Sequence, residues 1–136
     1  MNRPFVCLSA VLLISVLGCG KGSAPTVHGK VTLDGENVSS GSIMFFPKGS
    51  SGGTKAAAAV ENGVYTIPTT DKMQPGTYRV EISWQKPTGK KIASADPGIT
   101  TEERREAVPA KYNTDSTLTA EIGSGETEKD FALTSK

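Results

Sequence analysis

The sequence predicts an all-β fold of about seven short antiparallel strands packed as a sandwich, and three observations support this prediction. Asp34-Gly35 and Asn62-Gly63 lie between alternating apolar runs, and both dipeptides favour two-residue hairpin turns. Fifteen glycines and eight prolines in 136 residues are typical of a turn-rich chain. The run from Tyr78 to Trp84 alternates apolar and polar residues, as a half-buried strand does.

The predicted strands follow one another from Thr26 onward, each bounded by glycine, asparagine, aspartate or proline. The stretch around Phe45 is apolar on both faces, which indicates either a central strand or one that a loop covers, and Pro47 ends it. A weak strand over residues 56–60 precedes the Asn62-Gly63 turn. The residues that define the other strands are Val27, Val31 and Leu33, then Val64 to Ile67, then Tyr78, Val80, Ile82 and Trp84, then Leu118, Ala120 and Ile122, and finally Phe131 and Leu133.

A long connection, residues 85–116, is expected to be largely irregular. Within it, residues 101–108 are expected to form a short helix that Thr100 or Thr101 caps and Pro109 stops. Its charged run, from Glu102 to Glu106, would then be a solvated helix face with local ion pairs. Residues 48–54 and 85–96 are predicted to be the least ordered parts of the domain.

The first 18 residues have the organisation of a secretory signal. Arg3 supplies the positive charge, and the apolar stretch from Phe5 to Leu17 is too short to span a membrane as a helix. The stretch ends in Val16-Leu17-Gly18-Cys19, which resembles the lipobox of bacterial lipoproteins. The resemblance implies cleavage before Cys19, a diacylglyceryl group on its thiol, and an acyl chain such as palmitate on the new amino group. Two or three chains hold a protein firmly at a membrane.

This interpretation divides the chain into a lipoprotein signal peptide (1–18), a lipidated tether (19–25) and one β-sandwich domain (26–136). The small residues after Cys19 suit a flexible tether. The expected location is the cell envelope. Gly20 stands where an aspartate would signal inner-membrane retention in well-studied Gram-negative bacteria, which favours the outer membrane. The outer membrane or the periplasmic side is thus expected, in preference to the cytoplasm.

Charge and cysteine content exclude several classes of function. Fifteen basic and fourteen acidic side chains give a net charge of +1, without the basic bias of nucleic-acid binders. The two cysteines, Cys7 and Cys19, lie in the leader and at the lipidation position. The domain therefore has no thiol for a disulfide, a zinc site or a nucleophile.

The residues of the domain do not assemble a catalytic or metal motif. His28 is the only histidine and is expected to lie on a polar strand face. Gly49-Ser50-Ser51-Gly52-Gly53 formally matches G-x-S-x-G, but it lacks the strand-to-helix context and a later histidine. No phosphate-binding loop is present. We therefore expect no enzyme activity, no cofactor and no metal.

Four stretches carry a resemblance to a known family: residues 27–47 with VHGKVTLDG at their start, NGVY at 62–65, PGTYRV at 75–80, and VPAKYN at 108–113 with the two strands that follow. In order and spacing they resemble the transthyretin-like, or carboxypeptidase-regulatory-like, β-sandwich of bacterial surface lipoproteins, many of them from planctomycetes. The resemblance implies a Greek-key sandwich with one short helix in a long connection. It implies an accessory or binding module, and it carries over no catalytic residue.

These observations predict a non-enzymatic, lipid-anchored envelope module with a structural or protein-interaction role. The alternative is a carbohydrate- or small-ligand-binding lipoprotein that uses Trp84 or Tyr112, since aromatic rings commonly bind sugars and proteins. An exposed Trp84 beside polar donors would favour ligand binding, whereas a buried Trp84 and a flat edge strand would favour protein contact by strand addition. The expected partners are the membrane, through Cys19, and a surface protein or polysaccharide.

An internal Lys–Asp isopeptide bond is a further alternative, because Lys30, Glu81 and Asp130 are the residue types that form one in related surface sandwiches. Strand alternation places all three on the polar face. The reaction needs a lysine that burial keeps neutral, so the pattern argues against this bond.

Overall fold

The computed structural model describes residues 25–49, 53–68 and 73–136, and this part of the chain forms eleven strands and one short 3-10 helix. The strands are β1 (Thr26–Leu33), β2 (Glu36–Asn37), β3 (Ser40–Pro47), β4 (Ala56–Glu61), β5 (Val64–Ile67), β6 (Gly76–Ser83), β7 (Gln85–Ala93), β8 (Thr100–Glu106), β9 (Thr119–Ile122), β10 (Glu126–Glu128) and β11 (Phe131–Leu133), and the 3-10 helix is Ala110–Tyr112. The all-β prediction is confirmed.

Both predicted hairpin dipeptides form two-residue turns. Asp34 and Gly35 have φ of 50° and 82°, and β1 turns through them into β2. Asn62 and Gly63 have φ of 51° and 80° between β4 and β5. Two consecutive positive φ values are those of the type I′ turn, which asparagine, aspartate and glycine adopt most readily.

The strands lie in the order β10-β1-β5-β4-β3-β6-β9, with β2 and β11 also paired to β1. Seven strands side by side in a flat sheet would place the first and last about 29 Å apart. β9 ends at Ile122 and β10 begins at Glu126. The short piece of chain between these two residues can span at most about 15 Å. The sheet therefore curls back on itself and encloses its buried face.

The core consists of the residues that point into this curl. Phe45 lies at its centre, with ring centroids 6.0 Å from Tyr65, 6.4 Å from Tyr78 and 6.4 Å from Phe131. The residues on the predicted inward positions are buried, apart from Leu118, which is only partly buried against the core, and β3 lies between β4 and β6. The other buried apolar side chains include Val27, Val31, Val38, Ile43, Val60, Ile67, Met73, Val80, Ile82, Trp84, Val108, Ala120, Ile122 and Leu133.

The two ends of the described chain are bound together through β1. Its first half pairs with β10 and its second half with β11, both in parallel. Between these two pairings, the backbone N–H of Lys30 donates to Asp130 Oδ1 at 2.7 Å, and the Tyr65 hydroxyl donates to the Lys129 carbonyl at 2.7 Å. Burial, aided by the charge of Asp130, raises the pKa of Tyr65 far above its usual range, so this hydroxyl stays protonated.

The structure corrects the strand count and the long connection. The additional strands are the short β2 and β10 and the pair β7 and β8. β7 and β8 occupy half of the part predicted to be irregular, and the helix predicted over residues 101–108 is wrong, because β8 covers residues 101–106. The helical element of this connection is the 3-10 helix Ala110–Tyr112. The pairing of β1 with β10 and β11 is parallel, whereas the prediction was antiparallel throughout.

Candidate functional site

A two-stranded ribbon, β7 and β8, forms a sheet separate from the main one. Every residue of β7 is exposed, and in β8 only Glu103 is half-buried. The ribbon begins directly after Trp84 and ends directly before Ala107, whose N–H donates to the Trp84 carbonyl at 2.9 Å. It is thus an extension of the β-sandwich-like body that contributes nothing to the core.

The ribbon turns at residues 96–99. The Ile99 N–H donates to the Asp96 carbonyl at 3.2 Å, Pro97 stands at the second position, and Gly98 has a φ of 80°. Proline and then glycine at the two central positions are typical of a type II turn. The Pro97-Gly98 dipeptide is the sequence signal that could have revealed this hairpin.

The charged run of β8 lacks the apolar stripe that a packed helix needs. No apolar residue lies between Thr100 and Glu106. Across the ribbon, Lys91 lies opposite Glu102, a favourable cross-strand pair. Lys86 lies opposite Arg105, a pair of like charges, but Lys86 Nζ contacts the Glu36 carboxylate at 2.7 Å.

Glu106 binds together the two strands at the base of the ribbon. Its carboxylate accepts hydrogen bonds from the backbone N–H groups of Trp84 (2.8 Å) and Val108 (3.0 Å). The Ser83 hydroxyl and the Gln85 amide also donate to it. Partial burial opposes ionisation, but these hydrogen bonds outweigh it and hold the pKa of Glu106 below its usual value.

The variant Glu106→Gln is expected to lower the stability of the protein at neutral pH by about 1 kcal/mol, since the amide loses the charge that strengthens these bonds. The pKa of Glu106 is lower in the folded than in the unfolded state. The contribution of Glu106 to the stability is therefore complete above its pKa in the unfolded state, and it is lost as the pH falls through its pKa in the folded state. Urea unfolding of both proteins at pH 7 and pH 3 measures this.

The expected result is a stability gap at pH 7 that is smaller at pH 3. Glu61→Gln removes the same charge from an exposed position on β4, away from the base of the ribbon, and serves as the control. An equal gap at both pH values would contradict the role given to the ionised carboxylate.

Trp84 and Tyr112, the two candidate contact residues, lie in different surroundings. Trp84 is 2% exposed and packs in the core, and the Lys86 ammonium lies 4.7 Å from the centroid of its ring. Tyr112 is half-buried in the 3-10 helix, and its hydroxyl lies 3.3 Å from the Thr134 hydroxyl. The bond to Thr134, together with the charge of Lys111, lowers the pKa of Tyr112.

The sequence candidates for chemistry, His28, Lys30 and Asp130, lie on β1 or directly beside it. His28 is half-buried on β1, and its Nδ1 lies 3.6 Å from Glu126 Oε1. Lys30 and Asp130 are exposed, which is not the buried setting that an isopeptide bond needs. In the described ranges, no group of three or more histidine, cysteine, aspartate or glutamate residues is placed to hold a metal ion.

A shallow hollow of about 580 Å³ lies on the outer face of β4 and β5. Small and apolar residues line most of it, among them Ala57, Ala59, Val64 and Pro68. Val64 is 50% exposed there. The hollow is open to solvent, and Glu61 and Thr66 also line it.

Cys19, the predicted lipidation site, and the predicted signal peptide lie outside the described residues. Among the residues that are described, no helix is long and apolar enough to cross a membrane.

No protein-family model matches this chain, and no curated protein matches it.

Proposed function

We propose that this protein is a non-enzymatic, lipid-anchored module of the cell envelope, and that its β7–β8 ribbon is the surface that contacts a partner protein. In this proposal Cys19 carries the lipid, residues 20–25 form the tether, and the β domain presents the ribbon. The observation that carries the contact surface is the exposure of the ribbon along nearly its whole length.

The cost of ordering the ribbon supports this role. Fixing one residue costs roughly 1–2 kcal/mol of conformational entropy, and burial of apolar surface normally offsets that cost. The ribbon buries almost nothing. It is instead held at its base by Glu106 and by the Lys86–Glu36 ion pair. A firmly based but otherwise exposed hairpin suits contact with a surface outside the domain.

The strand order supports the family resemblance on which the proposal also draws. β3, β4 and β5 are adjacent in space and consecutive in sequence, and β1 lies beside β5. This order supports the Greek key that the resemblance implies. We accordingly place the domain with the transthyretin-like sandwiches as part of the proposal.

The buried Trp84 favours protein contact over carbohydrate binding. A sugar platform needs an exposed aromatic face, and the Trp84 ring is enclosed by the core and by Lys86. The edges of the ribbon, in contrast, expose backbone groups to which a strand can add.

The anchor is tested by fractionating bacterial cells that express the full chain. We expect the wild-type protein in the membrane fraction, labelled by radioactive palmitate, and we expect Cys19→Ala to abolish the label and the processing. Cys7→Ala, a change of the same residue type within the leader, is the control and is expected to behave as wild type. Labelling that persists in Cys19→Ala would refute the anchor.

The contact surface is tested by shortening the ribbon. Replacing residues 87–104 by Asn-Gly joins Lys86 to Arg105, which lie opposite each other, through a two-residue turn and leaves Glu106 in place. The full chain and this variant are compared by in-cell cross-linking and identification of the captured proteins. We expect the variant to keep its melting temperature and membrane association and to lose the captured proteins. Unchanged capture would assign the contact to another surface.

A further inference from the structure

The two outer edges of the ribbon differ in their ability to accept another strand. Among the described residues, neither β7 nor β8 has a second strand neighbour. β7 contains Pro87, which has no N–H, and its register shifts between Pro87 and Lys91. β8 runs without proline, glycine or bulge from Thr100 to Glu106. Proline and bulges block strand addition, so β8 presents the open edge.

The hydrogen bonds of the ribbon show which backbone groups of β8 point outward. The Ala107 N–H donates to the Trp84 carbonyl at 2.9 Å, and the Ile99 carbonyl accepts from the Ser94 N–H at 2.8 Å. Both residues therefore direct their backbone groups toward β7. Because this direction alternates along a strand, the residues that direct theirs to the open edge are Thr100, Glu102, Arg104 and Glu106.

We propose that β8 pairs antiparallel with β8 of a second copy of this chain, about a two-fold axis through Glu103. The two ribbons then form one four-stranded sheet. Residues directly opposite each other in an antiparallel pair must both point their backbone groups across the gap. With the axis at Glu103, Glu102 lies opposite Arg104 of the second copy, and Thr100 lies opposite Glu106 of the second copy. Every outward-pointing residue of β8 has a partner.

Charge complementarity selects this register. The two-fold axis forms the Glu102–Arg104 pair twice, and opposite charges directly across a gap stabilise strand pairing. An axis at Arg104 would instead place Arg104 opposite itself and Glu102 opposite Glu106. An axis at Glu102 would place Glu102 opposite itself. A self-complementary patch of this kind is what an isologous dimer requires.

One like-charge contact remains, where Glu103 meets Glu103 of the second copy. Within each chain, Arg105 Nε lies 3.9 Å from Glu103 Oε2, and the Thr88 hydroxyl contacts the same carboxylate. In the paired ribbons, Arg105 of each copy also lies diagonally across from Glu103 of the other. These cations offset the repulsion. The inference rests on the proposed function in taking the ribbon as the contact surface, and it identifies the partner as a second copy.

The test measures self-association of the full chain in density-matched detergent by sedimentation equilibrium. We expect a monomer–dimer equilibrium. Glu102→Arg alone and Arg104→Glu alone each place like charges opposite each other, and each is expected to weaken the dimer about tenfold or more. The double variant with both changes restores opposite charges and is expected to return to near wild-type association. Circular dichroism melts establish that all variants fold.

A cysteine variant tests the position of the axis independently. In a background with Cys7→Ser and Cys19→Ser, Glu103→Cys places two thiols about 4.5 Å apart between Cα atoms, within the range of a disulfide. We expect a disulfide-linked dimer on mild oxidation, and none from Lys91→Cys on β7.

A chain that stays monomeric, or a dimer that both charge variants leave unchanged, would overturn the self-pairing. If the chain is monomeric but captures a different protein, and this capture depends on the ribbon, the proposed function stands. The second copy is then refuted as its partner. If shortening the ribbon abolished neither self-association nor capture, the proposed contact surface itself would be refuted.

Discussion

Replacing Gly29 by alanine is expected to destabilise the protein by about 3 kcal/mol or more, because its methyl group would overlap the backbone of the C-terminal segment. A Cβ at Gly29 would lie 2.0 Å from the Lys129 carbonyl oxygen and 2.6 Å from its carbon. Both atoms belong to backbone that is held in place, since the Lys129 N–H donates to the His28 carbonyl at 2.8 Å. Relief of the clash therefore requires β1 to separate from the segment between β10 and β11.

The measurement is the free energy of unfolding in urea, with Gly123→Ala as the control. At Gly123 the nearest atom to an added Cβ, Thr127 Oγ1, lies 3.8 Å away, which is ordinary contact. Its φ is not among the positive values, so alanine there is expected to be neutral or slightly stabilising. Equal effects of the two substitutions would show that general chain entropy, not the close approach at Lys129, determines the outcome.

Phe45→Ala is expected to cost about 3–5 kcal/mol, the range for removing a fully buried aromatic side chain. Phe45 is fully buried and contacts the rings of Tyr65, Tyr78 and Phe131. The cavity would lie where β3, β5, β6 and β11 converge, and rigid strands cannot collapse into it. A domain of this size commonly has only about 5–15 kcal/mol of stability in total.

The neighbouring residue provides the matched control. Phe46 lies on the outer face of the same strand, half-buried, with the Arg79 guanidinium 4.7 Å from its ring centroid. Phe46→Ala is expected to cost roughly 1–2 kcal/mol, for partial burial and one cation–π contact. Chemical unfolding of the two variants side by side measures the difference. A cost for Phe46 that matches or exceeds that for Phe45 would contradict the assignment of the inner and outer faces of β3.

Local chemistry made much of the fold predictable from the sequence. Asp34-Gly35 and Asn62-Gly63 form the expected turns because their backbone preference depends on those residues alone. The alternation from Tyr78 to Ile82 places the same residues in the core, because the side chains of a strand alternate between its two faces.

Features that depend on distant partners were not predicted. β8 is a strand because β7 lies beside it, and its charged run shows no strand pattern by itself. Gly29 was the one local sign of the parallel contact between β1 and the C-terminal segment, since a glycine inside a strand often marks a close backbone approach. The position of Glu106 between Trp84 and Val108 follows only from the finished ribbon. The candidate contact surface could therefore not be predicted from the sequence, whereas the core could.

The pairing of β1 also determines how the domain responds to mechanical load. The chain continues from Thr26 toward Cys19, so a pull from that side enters along the axis of β1. β1 is bonded to β5 on one side and to β10 and β11 on the other. A force along a strand loads the hydrogen bonds on both of its sides together, in shear, instead of opening them one at a time. A pull from the end that faces the proposed anchor is thus resisted by the hydrogen bonds on both sides of β1 together.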